Sequence, residues 1–417
     1  MTSFLKRRLQ DNSIIGSPAP RRTRVLCLWN SRRARALFSH VVTAVLFTLV
    51  VPLQSCRGQV TEPGPSYEVP AAIDATGTND VTTDLLAFFA SVPDGSTISF
   101  PAGAIYRIEN TLLVKNRNNL TFEGNGATLI AKTDGSGVTP DPVQVGPPGT
   151  WPRQRRHWRF WGGSGIVLRN MTIQGAHPSG GLGGYIASLE AQHGIDFGGV
   201  VGGAIDGVTI TDVYGDFILL GKTGPSSPTW TSNVSVTNST GIRNGRQAIA
   251  ISGAQDVLIE NNNFSQMART VLDIEPDNST SGAKRITFRN NTIGPASGNF
   301  ISNVGSGLAT VEDITVENNV LTGTAIQMLV GSPTASTRRA RFTIRNNTSN
   351  LPFNSVHSLM VFYRTDNIVV TGNTNPMQAG SSMIGVQTQE VCEPQVSGNT
   401  FLNAVQEWQD TPWTGCP

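Results

Sequence analysis

The sequence predicts an all-β solenoid with one coil per repeat, and three observations predict it. Segments beginning at Val208, Val234, Val257, Ile286, Ile314, Phe342 and Ile368 each run a β-branched strand into a polar turn, about once every 23–29 residues. Apolar and polar residues alternate within these strands with period two and show no helical spacing. The clearest endings are Asn261-Asn262-Asn263, Asn290-Asn291, Asn318-Asn319 and Asn346-Asn347. Asn tolerates turn backbone and bonds neighbouring peptide groups, so these residues are expected to stack as a ladder at one bend. Composition agrees: 44 Gly, 7% aromatic and 14% charged residues suit tight turns and stacked strands better than a helical bundle.

The first element, residues 1–56, differs from the rest. Nine of the 31 basic residues lie there against one of the 29 acidic ones, followed by an apolar run from Val41 to Leu53 and then Gln54-Ser55-Cys56. A basic head, a short apolar middle and a small residue before a cleavage point are the parts of an export signal. Leu53-Gln54-Ser55-Cys56 resembles a bacterial lipobox, which implies Cys56 as a lipidated first residue; simple secretion and a retained membrane anchor are the other two readings. All three imply an exported bacterial protein, extracellular or on the cell surface, touching membrane only through this segment. Without it 22 basic and 28 acidic residues remain, so a chain of net charge +2 becomes one of −6, and nucleic acid is excluded as a partner.

Residues 57–70 are rich in Pro and Gly and read as a tether, leaving 71–417 as the solenoid domain with a C-terminal cap. Next come Ile73-Asp74-Ala75-Thr76-Gly77, a helical run from Thr83 to Val92 with Thr82 or Thr83 as N-cap, and a strand from Thr97 ending in Phe100-Pro101-Ala102-Gly103 before Ile105-Tyr106. Leu85, Leu86, Phe88 and Phe89 give the helix an apolar face able to cover the first coil, whose open edge would otherwise invite aggregation. This succession resembles the N-terminal cap of the right-handed parallel β-helix superfamily, the pectate-lyase and polygalacturonase-like proteins, over roughly residues 70–400. The resemblance implies a right-handed coil and a carbohydrate substrate. It does not extend to polygalacturonase chemistry, because Asn-Thr-Asp, Asp-Asp, Gly-His-Gly and Arg-Ile-Lys are all missing.

Second strands fall between the Asn-rich ones, at 194–197, 216–220, 248–251, 271–274, 300–304, 325–330 and 359–363. In an exported chain Cys392 and Cys416 are expected to form a disulfide tying the tail to the last coil, the alternative being two free thiols. Asn119, Asn170, Asn233 and Asn290 match the glycosylation pattern but are read as turn formers.

Chemistry is expected on the second-strand face. If Ile195, Phe197, Ile249, Ile251, Leu272 and Ile274 point inward, then Asp196, Asp216, Asp273 and Glu275 point outward, with Arg246 and Arg269 entering their strands at equivalent places and His193 beside the first. Asp273 and Glu275 would be separated by roughly 7 Å on one strand, which suits an acid and a base with room for a water, as in inverting glycosidases. The structural alternative is a salt-bridge ladder from Glu275 to Arg246 or Arg269. Asp212, Tyr214 and Asp216 bracket Gly215 and, with His193 and Asp196, could bind sugar hydroxyls or a cation or supply a base, or are turn formers. The segment from Trp151 to Trp161, with Arg153, Arg155, Arg156, His157, Trp158 and Arg159, follows a long Gly- and Pro-rich excursion; its Trp faces could stack on sugars and its Arg forks grip carboxylates, unless Trp158 and Phe160 are core. Three functions therefore compete: a hydrolase using Asp273 and Glu275, a lyase drawing its base from Arg246, Arg269, His193 or Tyr214, and a non-catalytic glycan-binding or adhesion scaffold. No cofactor is required by the sequence; a lyase would admit calcium.

Overall fold

In this computed structural model the described residues are 64–139, 142–143, 153–224, 228–355, 358–380 and 383–416. The leader with Cys56, residues 57–63 and Trp151 lie outside them. The described chain winds into a parallel β-helix, whose strands assemble into three parallel sheets of 13, 10 and 11 strands. One coil runs Ile249–Ile251, Gly253–Glu260 and Asn263–Ser265 before the next begins at Leu272–Ile274. In the longest sheet Val234 pairs with Val257, Val257 with Ile286, Ile286 with Ile314 and Ile314 with Phe342, so one column of β-branched and aromatic side chains fills one wall of the core. The sheet strand Ile195–Gly198 aligns Ile195 with Ile218, and Ile218 with Ile249, all fully buried.

Val208 proves out of phase with the other six repeat starts. Gly203 is the residue paired with Val234, whereas Val208 lies past the end of its strand Val201–Asp206. That strand is glycine-rich and lacks the β-branched signature, so the pattern locked onto the following strand, Thr209–Val213. The tether also ends earlier than 70: Ser66–Glu68 pairs with Thr97–Ser99, a three-residue exposed strand with no alternation to betray it.

The paired Asn residues divide two tasks. The first of each pair, Asn261, Asn290, Asn318 and Asn346, takes a left-handed backbone with φ of 54–59°, which Asn adopts at little cost. The second, Asn262, Asn291, Asn319 and Asn347, is buried and forms the ladder: the side-chain oxygens of Asn291, Asn319 and Asn347 each accept from the Asn one coil earlier, and that of Asn262 accepts from the Ser239 N–H. The amide nitrogens turn back to strand carbonyls of preceding coils, as Asn291 does to Ile259. Asn119, Asn170 and Asn233 likewise have positive φ.

A second column runs along the outside of the longest sheet. Asn233, Asp256, Arg285, Asp313 and Arg341 each take φ between 52° and 60° at the same place in successive coils. The charges alternate and pair: Arg285 forks Asp256 at 2.5 and 2.8 Å, and Arg341 forks Asp313 at 2.5 and 3.0 Å. Arg is an unusual occupant of this backbone region, and the alternation supplies a reason for it.

The N-terminal end is closed by the helix Thr82–Ser91, which buries Leu85 and Phe89 and packs Leu86 and Phe88 against the core. Its first residue is Thr82 rather than Thr83, and neither Thr is the N-cap. The Asp80 carboxylate accepts the Thr82 backbone N–H at 3.0 Å and its hydroxyl at 2.6 Å, so the acid two residues earlier does the capping work. Beneath the helix Phe89 stacks on Trp158 at 5.6 Å and Trp158 on Phe160 at 5.3 Å. At the other end Cys392 and Cys416 are bonded, their Cα atoms 5.6 Å apart, and Arg338 lies 4.0 Å over the Trp413 ring while forking Asp366 at 2.6 Å.

Candidate active-site cleft

The 11-stranded sheet builds the site by stacking outward positions. Asp196 is in register with Arg159 on one side and Leu219 on the other, Leu219 with Ala250, and Ala250 with Asp273. Two positions along, Gly198 pairs with Trp161 and with Gly221. A Cβ on Gly198 would stand 2.5 Å from the Trp161 ring, so only glycine lets the indole lie across this row. Small residues here, flanked by charged ones, leave a cleft of about 360 Å³ whose lining includes Trp161, Arg159, Asp196, His193, Arg246 and Glu275. One wall is braced by Lys222, whose Nζ donates to Asn278 Oδ1 at 2.9 Å and Thr280 Oγ1 at 2.8 Å.

Three carboxylates converge on Arg246. Its Nη1 donates to Asp216 Oδ2 at 3.0 Å, Nη1 and Nη2 fork Glu275 at 2.9 and 2.8 Å, and Nε lies 3.3 Å from Glu190 Oε2. Asp216 sits at the bend before its strand Ile218–Gly221 rather than within it, which is why it is fully buried instead of facing solvent. Burial alone would raise its pKa, but Arg246 and His193, whose Nδ1 is 3.0 Å from Oδ2, hold the carboxyl below its usual range. Glu275 behaves oppositely. Burial, opposed by Arg246 but reinforced by Asp216 and Asp273, pushes it up to about 7, although 30% of its side chain still faces the cleft. Asp273 is raised too, by burial, with Gln247 Nε2 donating to it at 2.8 Å as a partial offset.

Asp196 lies between two guanidiniums, with Arg156 Nε at 2.9 Å and Arg159 Nε at 3.5 Å. Arg159 also covers the Trp161 ring at 4.6 Å. The structure thus brings Arg156, His193, Asp196, Asp216, Arg246, Asp273 and Glu275 to one strip. Arg269 stands exposed at the rim, 4.8 Å over the Tyr185 ring.

Two expected binding residues are elsewhere. Trp158 is 0% exposed in the aromatic core, because alternation along Trp158–Trp161 turns Trp158 and Phe160 inward and leaves Arg159 and Trp161 outside. Tyr214 is buried, stacks on His177 at 4.4 Å and donates to the Ala176 carbonyl at 3.2 Å. Its neighbour Asp212 has φ of 55° and is forked by Arg243, so the trio around Gly215 is divided and only Asp216 reaches the cleft. Within the Trp-Arg segment Arg155 also turns inward, to Glu109 at 2.9 Å, and His157 is buried beside it with its pKa lowered to about 3.

Glu190 and Tyr185 were not foreseen. They lie in an arm, residues 175–194, between the strands Thr172–Gln174 and Ile195–Gly198, where no repeat pattern marks them; the length of that connection is the one available signal. Gly183 of the arm donates to Ser297 Oγ at 3.2 Å, and the Tyr185 hydroxyl donates to Glu190 Oε2 at 2.6 Å. Among the described residues no group of three or more His, Cys, Asp or Glu is placed to hold a metal, and no helix is long and apolar enough to cross a membrane.

A family model described as a right handed beta helix region matches residues 159–348. No curated protein matches the chain. Among solved structures, a tailspike protein variant of E. coli bacteriophage HK620 in complex with a pentasaccharide superposes with TM-score 0.59 at 13% identity, over 84% of this chain and 65% of that one. Another variant of that tailspike, in complex with a hexasaccharide, gives 0.53 at 13% identity over 85% and 66%. The surface protein and adhesin PfbA of Streptococcus pneumoniae gives 0.53 at 13% identity, over 83% of this chain and 100% of that one. This chain therefore spans about two thirds of the tailspike's length. What these likenesses establish is the fold: the chain is a right-handed parallel β-helix.

Proposed function

We propose that this right-handed parallel β-helix is an exported, extracellular or cell-surface protein that binds a polysaccharide in the cleft beside Arg246 and hydrolyses it. The observation that carries the reading is geometric: Asp216, Glu275 and Glu190 meet at the one Arg246 guanidinium beside the cleft, with Asp216 fully buried and held below its usual range while Glu275, 30% exposed to the cleft, is raised toward neutrality. Glu275 donates its proton to the glycosidic oxygen as the C–O bond breaks. Asp273, two residues away on the same face, takes a proton from the water that adds to the anomeric carbon, the spacing of roughly 7 Å leaving room for that water. Asp196, held by Arg156 and Arg159, and Asp216, held by Arg246 and His193, position the chain and the acid. Oligosaccharides bound to the similar tailspike support the substrate class, and the tailspike and adhesin support the location. An export leader at 1–56, with lipidation at Cys56 as one form of it, belongs to the same reading.

The purified mature protein, screened against neutral and uronate-containing glycans with and without calcium, should release reducing ends. Glu275→Gln and Asp273→Asn should each lower turnover by about 100-fold or more while oligosaccharide binding persists. Products absorbing in the ultraviolet would instead mark elimination, with His193 the cleft residue available as base and calcium a candidate cofactor. A second reading, a non-catalytic binding scaffold, is favoured by the ion pairs that tie Arg246 to Asp216 and Glu275 across neighbouring coils, as a structural ladder would. Binding without cleavage of any glycan would establish it.

A further inference from the structure

The Arg246 guanidinium is shared among three carboxylates, and the arm supplies one of them. Nη1 and Nη2 serve Asp216 and Glu275 from the coils before and after, while Nε faces Glu190 at 3.3 Å. Glu190 is the partner carried on the arm rather than beside a strand of the sheet, and it is itself held by the Tyr185 hydroxyl at 2.6 Å. Tyr185 in turn lies beneath Arg269. A charge on a peripheral loop is thus tied, through one cation, to the acid at the cleft.

We infer that Glu190 is a positioning residue that acts on Glu275 through the Arg246 guanidinium both of them contact. The inference rests on the reading of Glu275 as the acid, but concerns a property measurable without turnover. Charged groups acting on Glu275 are Arg246 and Asp216 from earlier coils and Asp273 two residues before it, while Glu190 of the arm reaches it through Arg246. Farther out are His193 beside Asp216, Arg269 over Tyr185, and the Lys222–Asp277 pair at 3.8 Å on the opposite wall. Of these, Glu190 is the negative charge that can be removed without emptying the sheet of a buried partner. Its loss removes a like charge and leaves Arg246 to Glu275 and Asp216, so Glu275 gives up its proton more easily. Loss of the Tyr185 hydroxyl acts the other way, because the released Glu190 oxygen draws harder on Arg246.

The test is the titration of Glu275 in the folded, full-length mature protein, read from the carboxyl band in infrared spectra of ¹³C-Glu-labelled protein and assigned by its absence in Glu275→Gln. Glu190→Gln should lower the midpoint by about one pH unit. Glu190→Asp, which keeps the charge, should restore most of the difference, and Tyr185→Phe should raise the midpoint. General loosening of the arm would move all three variants the same way and would overturn the inference, as would an unchanged midpoint in Glu190→Gln. If Glu190→Gln does not fold, the sign of the Tyr185→Phe shift decides alone. Midpoints that move as expected in a protein that cleaves no glycan would sink the hydrolase and leave the coupling standing; the reverse result would do the opposite.

Discussion

Asn319 Oδ1 accepts both the side-chain amide and the backbone N–H of Asn291, each at 3.0 Å. One buried oxygen therefore closes two bonds in the coil before it, while the Asn319 amide reaches Phe288 O at 3.1 Å and Asn347 Oδ1 at 2.8 Å. Asn319→Ala leaves the Asn291 donors stranded in a place water does not reach. The expected cost is about 2–4 kcal/mol in urea denaturation. Asn318→Ala, which changes only a left-handed position, should cost about 1–2 kcal/mol.

Two tryptophans three residues apart should separate stability from binding. Trp158→Ala removes a side chain that is wholly enclosed by Phe89, Phe122 and Phe160, and should cost about 3–5 kcal/mol. Trp161→Ala should cost under about 1.5 kcal/mol yet weaken oligosaccharide affinity severalfold, since the ring lines the cleft. Calorimetric melting and titration on the same samples compare them; a Trp158 variant as stable as wild type would contradict its place in the core.

The pH response follows from the sign of the Glu275 shift. Its folded pKa of about 7 lies above the ordinary 4.5, so its contribution to stability is complete below about pH 4.5 and is lost as pH rises through 7. Glu275→Gln should abolish that loss, making the variant gain on wild type at pH 8 relative to pH 4. Cleavage by wild type should fall above about pH 7 as the acid deprotonates, whereas Asp216, held low, should affect stability only as pH falls below the ordinary Asp range. Denaturation midpoints across about pH 2–9, and rates across about pH 4–9, test both limbs.

Cys392→Ser opens a loop of 24 residues and should lower stability by about 2–4 kcal/mol on the chain-entropy account. The Arg338–Trp413 contact should loosen with it, visible as a change in tryptophan emission, while glycan binding at the distant cleft stays within twofold. Unchanged melting after reduction would contradict the expectation.

The stacking was legible because it depends on what the sequence states openly: β-branched period-two strands and Asn at fixed returns. Asp196, Asp273 and Glu275 followed from the same alternation. Asp216 and Tyr214 did not, because each stands at a bend, where side-chain direction is set by the turn and not by the strand. Trp158 went astray through composition: an aromatic among five basic residues looked like a binding segment, yet its parity with Phe160 already placed both inward. Glu190 was invisible, since an arm without periodicity offers nothing by which to predict where it folds back. Gly203 shows the same limit from the other side, a core-column position without the residue type that would announce it.

The alternating left-handed column of Asp256, Arg285, Asp313 and Arg341 gives the solenoid a rule of parity. Excising the single coil that carries Arg285 would bring Asp256 against Asp313, two anions at contact. Excising the Arg285 and Asp313 coils together would return Asp256 to an arginine neighbour, Arg341. Along this stretch the cylinder can be shortened or extended by even numbers of turns more readily than by odd ones, as though its length were counted in doublets.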